Sequence, residues 1–263
     1  MVAADFALAA ALGACHGLAW PVAAVQRLEL HYRKAVTLPW LGRRRGGVGC
    51  AIRHIAFTRL ARQVLKVFLL VGEEATVLRR VHCRGRERLP VGGCVLAVAH
   101  TPWGRVLARW ALAHDFAFIL AHRRWARWAG PLHLLPTPAG LRRAVEQLGR
   151  GRRVVVVVDD FVALGGCAVE LLGRPARVSM RAVRLAALAS VPVVPVTLRY
   201  RRGLISVEIG TPLPPSHGRC AQQQMTRDLC VGMERWLSRY PEEWNDLFKY
   251  LAGESGGRCV DHH

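Results

Sequence analysis

Cys94-Val95-Leu96-Ala97-Val98-Ala99-His100-Thr101-Pro102-Trp103-Gly104-Arg105 is the stretch on which the reading of the whole chain turns. Six apolar residues stop at a histidine and a Thr-Pro turn, and a helical pattern resumes at Trp103. This predicts a buried strand that delivers one imidazole to its carboxyl end. In open α/β sheets that edge is where ligands bind. An unperturbed imidazole titrates near pH 6.5, so His100 is a candidate general base. A histidine at a strand end also serves as a simple capping or hydrogen-bonding group, and the local pattern leaves both readings open.

Outward from this stretch, short apolar runs alternate with amphipathic helices. The pattern predicts strands over residues 95–99, 116–121, 154–158, 192–200 and Leu204–Ile209. Helices are expected at Gly104–Ala113 and over residues 139–148, 179–189, 221–239 and 242–251. Alternation of this kind argues an α/β fold with a central, mostly parallel sheet flanked by helices. Residues 163–166 and the proline-rich 211–218 read as loops, and no internal repeat divides the chain.

At 263 residues the chain is long enough for one large α/β domain. Its 38 Lys and Arg against 18 Asp and Glu leave a formal net charge of +20. Such an excess, almost all arginine, implies an anionic partner: nucleic acid, a membrane surface or lipid phosphate. A solvated arginine-rich surface is the plain alternative. Eight cysteines at positions 15, 50, 83, 94, 167, 220, 230 and 259 form no CxxC pair and no His/Cys cluster at metal-ligand spacing. They read as small core hydrophobes in a reducing compartment, and no metal or cofactor is expected.

Residues 6–25 are almost uncharged and long enough to cross a bilayer, but their Ala and Gly content, His16 and Pro21 make the insertion signal marginal. An interfacial anchor helix and a plain buried helix are the alternatives. From His31 to Gly72 no carboxylate occurs, while Arg33, Lys34, Arg43, Arg44, Arg45, Arg53, Arg59, Arg62 and Lys66 add positive charge. Basic clusters beside an anchor mark its cytoplasmic side. Ile52, Ile55, Ala56, Leu60, Val64, Phe68 and Leu69 recur among them at helical spacing, which predicts an amphipathic helix lying on lipid or packed on the core.

Four further stretches carry candidate chemistry. Arg123 and Arg124 end the 116–121 strand, where guanidinium groups can grip phosphate bidentately. A solvated Arg pair is the alternative. The five valines from Val154 lead to Asp159-Asp160, and because adjacent strand residues point to opposite faces, at most one of the pair faces a site beside His100. Residues 165–176 form a glycine-bounded apolar segment too short for a helix, leading to Ser179 as an N-cap. Finally Pro241-Glu242-Glu243-Trp244 opens a closing helix, its acids complementing the helix dipole.

This order of segments resembles the bacterial lipid A biosynthesis acyltransferase family, within the wider lysophospholipid acyltransferase superfamily. The resemblance runs from about His31 to Tyr250. It rests on the strand ending in His100, the Gly149-Arg150-Gly151-Arg152-Arg153 turn before Val154 to Asp160, the Gly-Arg-Pro-Ala segment at 173–176, the Val-Pro-Val-Val-Pro strand at 191–195 and Pro241-Glu242-Glu243-Trp244. It implies an N-terminal membrane-associated anchor or interfacial helix (1–30), an acyltransferase-like domain (31–252) and a disordered tail (253–263). It further implies transfer of an acyl chain from acyl carrier protein or acyl-CoA to a lipid or glycolipid hydroxyl, at the cytoplasmic face of the bacterial inner membrane, with no nucleic acid involved.

The family's signature places an aspartate or glutamate five residues after the histidine, where this chain has Arg105. That carboxylate fixes the imidazole tautomer and stabilises the imidazolium, and a guanidinium does neither. Asp159, Asp160, Asp115 or Glu170 can supply the missing group from elsewhere in the fold. Asp159 is the first choice, because it aligns with an aspartate common in the family at the end of the same strand. The catalytic pair is then His100 and Asp159, with Arg105, Arg123, Arg124 and Arg174 as candidate substrate-binding residues. Two alternatives stand beside this one: a catalytically degenerate lipid-binding relative acting in a complex, and a basic RNA-binding protein whose Arg123, Arg124, Trp125, Arg127 and Trp128 interleave charge with aromatic rings.

Overall fold

The computed structural model describes residues 2–32, 47–160, 166–201, 203–240 and 243–244. Helices α1 (Val2–Tyr32), α2 (Gly47–Leu70) and α3 (Glu74–Leu78) precede the sheet. Strands β1 (Val81–Arg84) and β2 (Cys94–Val98) lead to α4 (Gly104–Ala113), β3 (Phe118–Leu120), the short α5 (Ala126–Ala129) and β4 (His133–Leu134). Then come α6 (Pro138–Gly149), β5 (Arg153–Val157), β6 (Cys167–Leu171), β7 (Arg174–Val178), α7 (Arg181–Ala189), β8 (Val193–Arg201), β9 (Leu204–Ile209) and α8 (Arg219–Arg239).

Among the described residues seven strands form one sheet in the order β1-β9-β8-β2-β5-β3-β4, with β6 and β7 a separate hairpin. Every neighbouring pair in the large sheet is parallel except β8 and β9. A parallel strand covered on both faces needs apolar residues throughout, and this is why β2 is a continuous apolar run. Val95, Ala97, Val154, Val156 and Val193 pack toward α6, α7 and α8. Leu96, Val194, Val196, Leu198 and Val207 pack in a second cluster with α1, α2 and α4. The molecule is therefore three layers, helices over sheet over helices.

α1 contributes Leu8, Leu12, Cys15 and Ala19 to that second cluster, against Ala56, Phe57, Ala61 and Leu65 of α2. Asp5 pairs with Arg79 at 2.7 Å beside α3. Among the described residues no helix is long and apolar enough to cross a membrane. The expectation of an amphipathic helix through Ile52–Leu69 is met by α2, packed on the core. Arg33, Lys34, Arg43, Arg44 and Arg45 lie outside the described residues, as does the tail from Gly253.

The structure corrects several local expectations. The glycine-bounded segment is the β6–β7 hairpin, closed by Leu172 and Gly173, both at positive φ (52° and 74°). A two-residue turn with both φ positive suits the twist of a hairpin, and Asn-Gly is its usual sequence signal. Leucine in the first position hides it. Met180, not Ser179, is the N-cap of α7. The Ser179 hydroxyl sits one residue earlier and accepts the Arg181 N–H at 3.3 Å. Strands β1 and β4, four and two residues long, are too short to give a periodic signal. Most of the expected helix over 242–251 lies outside the described residues; Glu243, expected to complement the dipole of that helix, is buried.

Candidate active site

In the β2–β5 pair Val98 lies opposite Val157. Two residues further along each strand the same register brings His100 and Asp159 side by side. Asp159 Oδ1 accepts the His100 backbone N–H at 2.8 Å and lies 3.0 Å from His100 Nδ1. The Asp159 side chain is fully buried, while the imidazole is 29% exposed. The other carboxylate oxygen, Oδ2, accepts the Trp244 indole N–H at 2.5 Å. Three donors therefore fix the carboxylate. Because an ionised carboxylate only accepts, the arrangement puts the ring proton on Nδ1 and leaves Nε2 as the basic nitrogen.

A second buried acid sits beside the first. Glu243 Oε2 accepts the indole N–H of Trp103 and Oε1 the backbone N–H of Tyr200, each at 2.5 Å. Trp103, in the turn after His100, stacks on Tyr200 with ring centroids 4.8 Å apart. Burial pushes the Tyr200 phenol up to about 12. The thiol of Cys94, the first residue of β2, is likewise raised to about 11 by burial, as a core residue should be.

His100 opens onto a cavity of about 530 Å³ between the sheet and α4. On β2 its wall is Leu96, Val98 and His100, and on β5 it is Val155 and Val157. Alternate residues of these strands thus face empty space, which is why Val98, Val155 and Val157 are only half-buried while Val95, Val154 and Val156 are buried. Four residues of strand from Leu96 to His100 give a depth of about 13 Å. Trp110 and Phe116, which also line it, sit toward the amino ends of the strands. The guanidinium of Arg86 lies over both rings (5.4 and 5.6 Å) and that of Arg153 over Phe116 (5.1 Å).

The mouth is polar. His122, Asp160 and Arg181 line it with His100, and Arg181 pairs with Asp160 at 3.0 Å. The indole of Trp125 closes one side against Gly104, where an added Cβ would stand 2.6 Å from the ring. Only glycine lets the first turn of α4 approach the ring this closely.

Of the residues expected to take part, His100 and Asp159 are brought together. Asp160 turns to Arg181, Asp115 pairs with Arg152, and Glu170 is exposed on β6. Arg105 lies on α4 with its guanidinium 5.4 Å from the Trp128 ring centroid, and Arg127 approaches the same ring at 4.8 Å. Arg123 is exposed in the turn after β3, and Arg174 begins β7. Arg105, Arg123 and Arg174 do not line the cavity. The side chain of Arg124 lies outside what is described. Sequence reasoning missed Trp103, Glu243 and Trp244 as site partners, and Arg181 and Trp125 at the mouth. The signal for Glu243 and Trp244 was an acid next to a tryptophan after a proline, which reads equally well as a helix start.

A half-exposed imidazole backed by a buried carboxylate, at the mouth of a deep apolar cavity in an α/β sheet, defines a site suited to deprotonating a hydroxyl beside an acyl chain. The family model for bacterial lipid A biosynthesis acyltransferases matches residues 111–251, more than half of the chain, and the chain belongs to that family. Its class is therefore acyltransferase. Among solved structures, the 1-acyl-sn-glycerophosphate (LPA) acyltransferase PlsC from Thermotoga maritima is similar with a TM-score of 0.41 at 15% identity, over 72% of this chain and 83% of that one. No curated protein matches the chain in sequence.

Proposed function

We propose that this protein is a membrane-associated acyltransferase that moves a fatty acyl chain from an acyl carrier protein or acyl-CoA thioester to a hydroxyl of a lipid or glycolipid acceptor, with His100 as general base. The observation that carries the reading is the contact of His100 Nδ1 with the buried Asp159 at the mouth of the apolar cavity. It supports this reading over a catalytically degenerate site, since a buried carboxylate stands beside the imidazole although position 105 is an arginine. No feature of the described structure favours the RNA-binding reading.

The chemistry follows from the geometry. The acceptor hydroxyl gives its proton to His100 Nε2 as its oxygen attacks the thioester carbonyl carbon. The imidazolium is stabilised by Asp159. Collapse of the tetrahedral intermediate breaks the C–S bond, and the proton returns from Nε2 to the leaving thiol. An acyl chain held along Leu96, Val98, Val155 and Val157 keeps water from the thioester. With about 1.3 Å of advance per C–C bond, a depth of about 13 Å takes roughly ten carbons. Arg181, Asp160 and His122 at the mouth face the polar parts of donor and acceptor.

The test is acyl transfer from lauroyl-acyl carrier protein to bacterial polar lipid vesicles. His100→Ala is expected to lower kcat by about 10⁴-fold or more with the fold intact by circular dichroism. Transfer at the wild-type rate would remove His100 from the mechanism.

A further inference from the structure

Glu243 and Trp244 are adjacent in sequence, 1% and 3% exposed, and reach two different parts of the site. Trp244 holds Asp159 Oδ2. Glu243 ties Trp103, three residues after the candidate base, to the backbone of Tyr200 at the end of β8. These partners are 85, 140 and 43 residues away in the chain. A buried carboxylate between two N–H donors is satisfied only in this arrangement, and leaving either donor unpaired would be costly.

We infer that Glu243 and Trp244 are positioning residues for the acyl-transfer site: the segment after α8 docks this pair into the sheet edge and thereby sets the orientation of Asp159 and of the turn that carries His100. The inference rests on the reading of His100 as general base. Neither residue touches substrate. Trp244 acts through Asp159, whose Oδ1 is left to serve the imidazole once Oδ2 is engaged. Glu243 acts through Trp103, whose indole fixes the start of α4 and so one wall of the cavity mouth. The bottom of the site is thus built from β2 and β5, and its alignment comes from the far end of the chain.

The experiment compares wild type, His100→Ala, Trp244→Phe and Glu243→Gln in the full chain, with lauroyl-acyl carrier protein as donor and bacterial polar lipid vesicles as acceptor. Trp244→Phe keeps the ring bulk and removes the donor. It is expected to lower kcat roughly tenfold, to leave KM for the donor within about twofold, and to move the acidic limb of the pH profile upward by about half a unit or more, because Asp159 then presents more negative charge to the imidazolium. A packing role for Trp244 alone would lower thermal stability and leave the limb in place. Glu243→Gln, which acts through Trp103 and not through Asp159, is expected to leave the limb unmoved and to lower kcat at least about threefold with KM for the donor within about twofold; a Glu243→Gln that loses thermal stability but keeps the wild-type kcat overturns the positioning role of Glu243.

Wild type supplies a reading that needs no variant to fold: the indole N–H resonance of Trp244 is expected to shift with the titration of His100, read by ¹H–¹⁵N NMR. An indole resonance indifferent to that titration, or a folded Trp244→Phe with wild-type kcat and pH profile, overturns the positioning role while the loss of activity in His100→Ala leaves the general-base reading standing. An active His100→Ala overturns both.

Discussion

In the proposed mechanism Asp159 is the residue that supports the base, and its environment makes the consequence of changing it calculable. Both oxygens are committed to N–H donors: Oδ1 to the backbone and ring of His100, Oδ2 to Trp244. In Asp159→Asn one side must present an NH₂ group to a donor, which costs about 1–3 kcal/mol. The imidazole also loses the acceptor that fixes its tautomer, a change worth about 10⁴-fold in serine proteases. We expect a folded variant, with a denaturant midpoint lowered within that range, whose acyl transfer is lost by about 10³-fold or more. Retained transfer with the same stability loss would show that the carboxylate serves the fold alone. His100 was legible as the end of an apolar run; strand alternation narrowed its partner to one of Asp159 and Asp160, and the resemblance, not the pattern, put Asp159 first. Glu243 and Trp244 were not legible as site residues, because their contacts are with residues far away in the chain, and an acid after a proline reads locally as a helix start.

At the scale of elements, burial explains which parts of the pattern could be read. The strands β2, β5, β8 and β9 and the helices α4, α6, α7 and α8 carry strong apolar patterns, and each was expected within two residues of its observed bounds. The run of valines in β5 concealed something, since it looks the same whether its second face is packed on helices or lines a cavity. The meeting of α4 with Trp125 gives a direct probe of that cavity. Gly104→Ala adds a Cβ 2.6 Å from the indole, which must move. Displacing a packed side chain costs about 1–3 kcal/mol, and alanine at the start of a helix returns up to about 1 kcal/mol of helix propensity. Net stability should therefore fall by no more than about 3 kcal/mol. The main effect is expected at the mouth: kcat/KM for acyl thioesters falls about tenfold, equally for octanoyl and lauroyl donors, since the ring stands where the chain enters and not along its length. A loss that grows with chain length would place Trp125 deep in the cavity.

For the whole molecule the proposed function requires that a chain of net charge +20, with no described helix able to span a bilayer, reach a lipid surface. α1 buries one stripe against α2, and among the described side chains between residues 3 and 19 the exposed ones are alanine, glycine, Phe6 and Leu18. Phe6 is 77% and Leu18 55% exposed. Two forces can hold such a surface on anionic lipid. Basic residues near the leaflet contribute about 1 kcal/mol each but are screened as the Debye length shrinks, from about 8 Å at physiological salt to about 3 Å at 1 M. Burying one large apolar side chain contributes about 1.5–3 kcal/mol and is not screened. Salt therefore separates them. Binding to phosphatidylglycerol vesicles, measured by sedimentation, is expected to weaken steeply with NaCl and then level off, and binding to phosphatidylcholine vesicles to start at that level. On the plateau, Phe6→Glu and Leu18→Glu should each reduce partitioning at least about tenfold, 1.4 kcal/mol being a factor of ten. Both side chains are exposed, so the thermal midpoint should stay within a few degrees of wild type. Binding that vanishes entirely in salt, with neither substitution having an effect, would make the attachment purely electrostatic and leave the bare face of α1 without a role at the membrane.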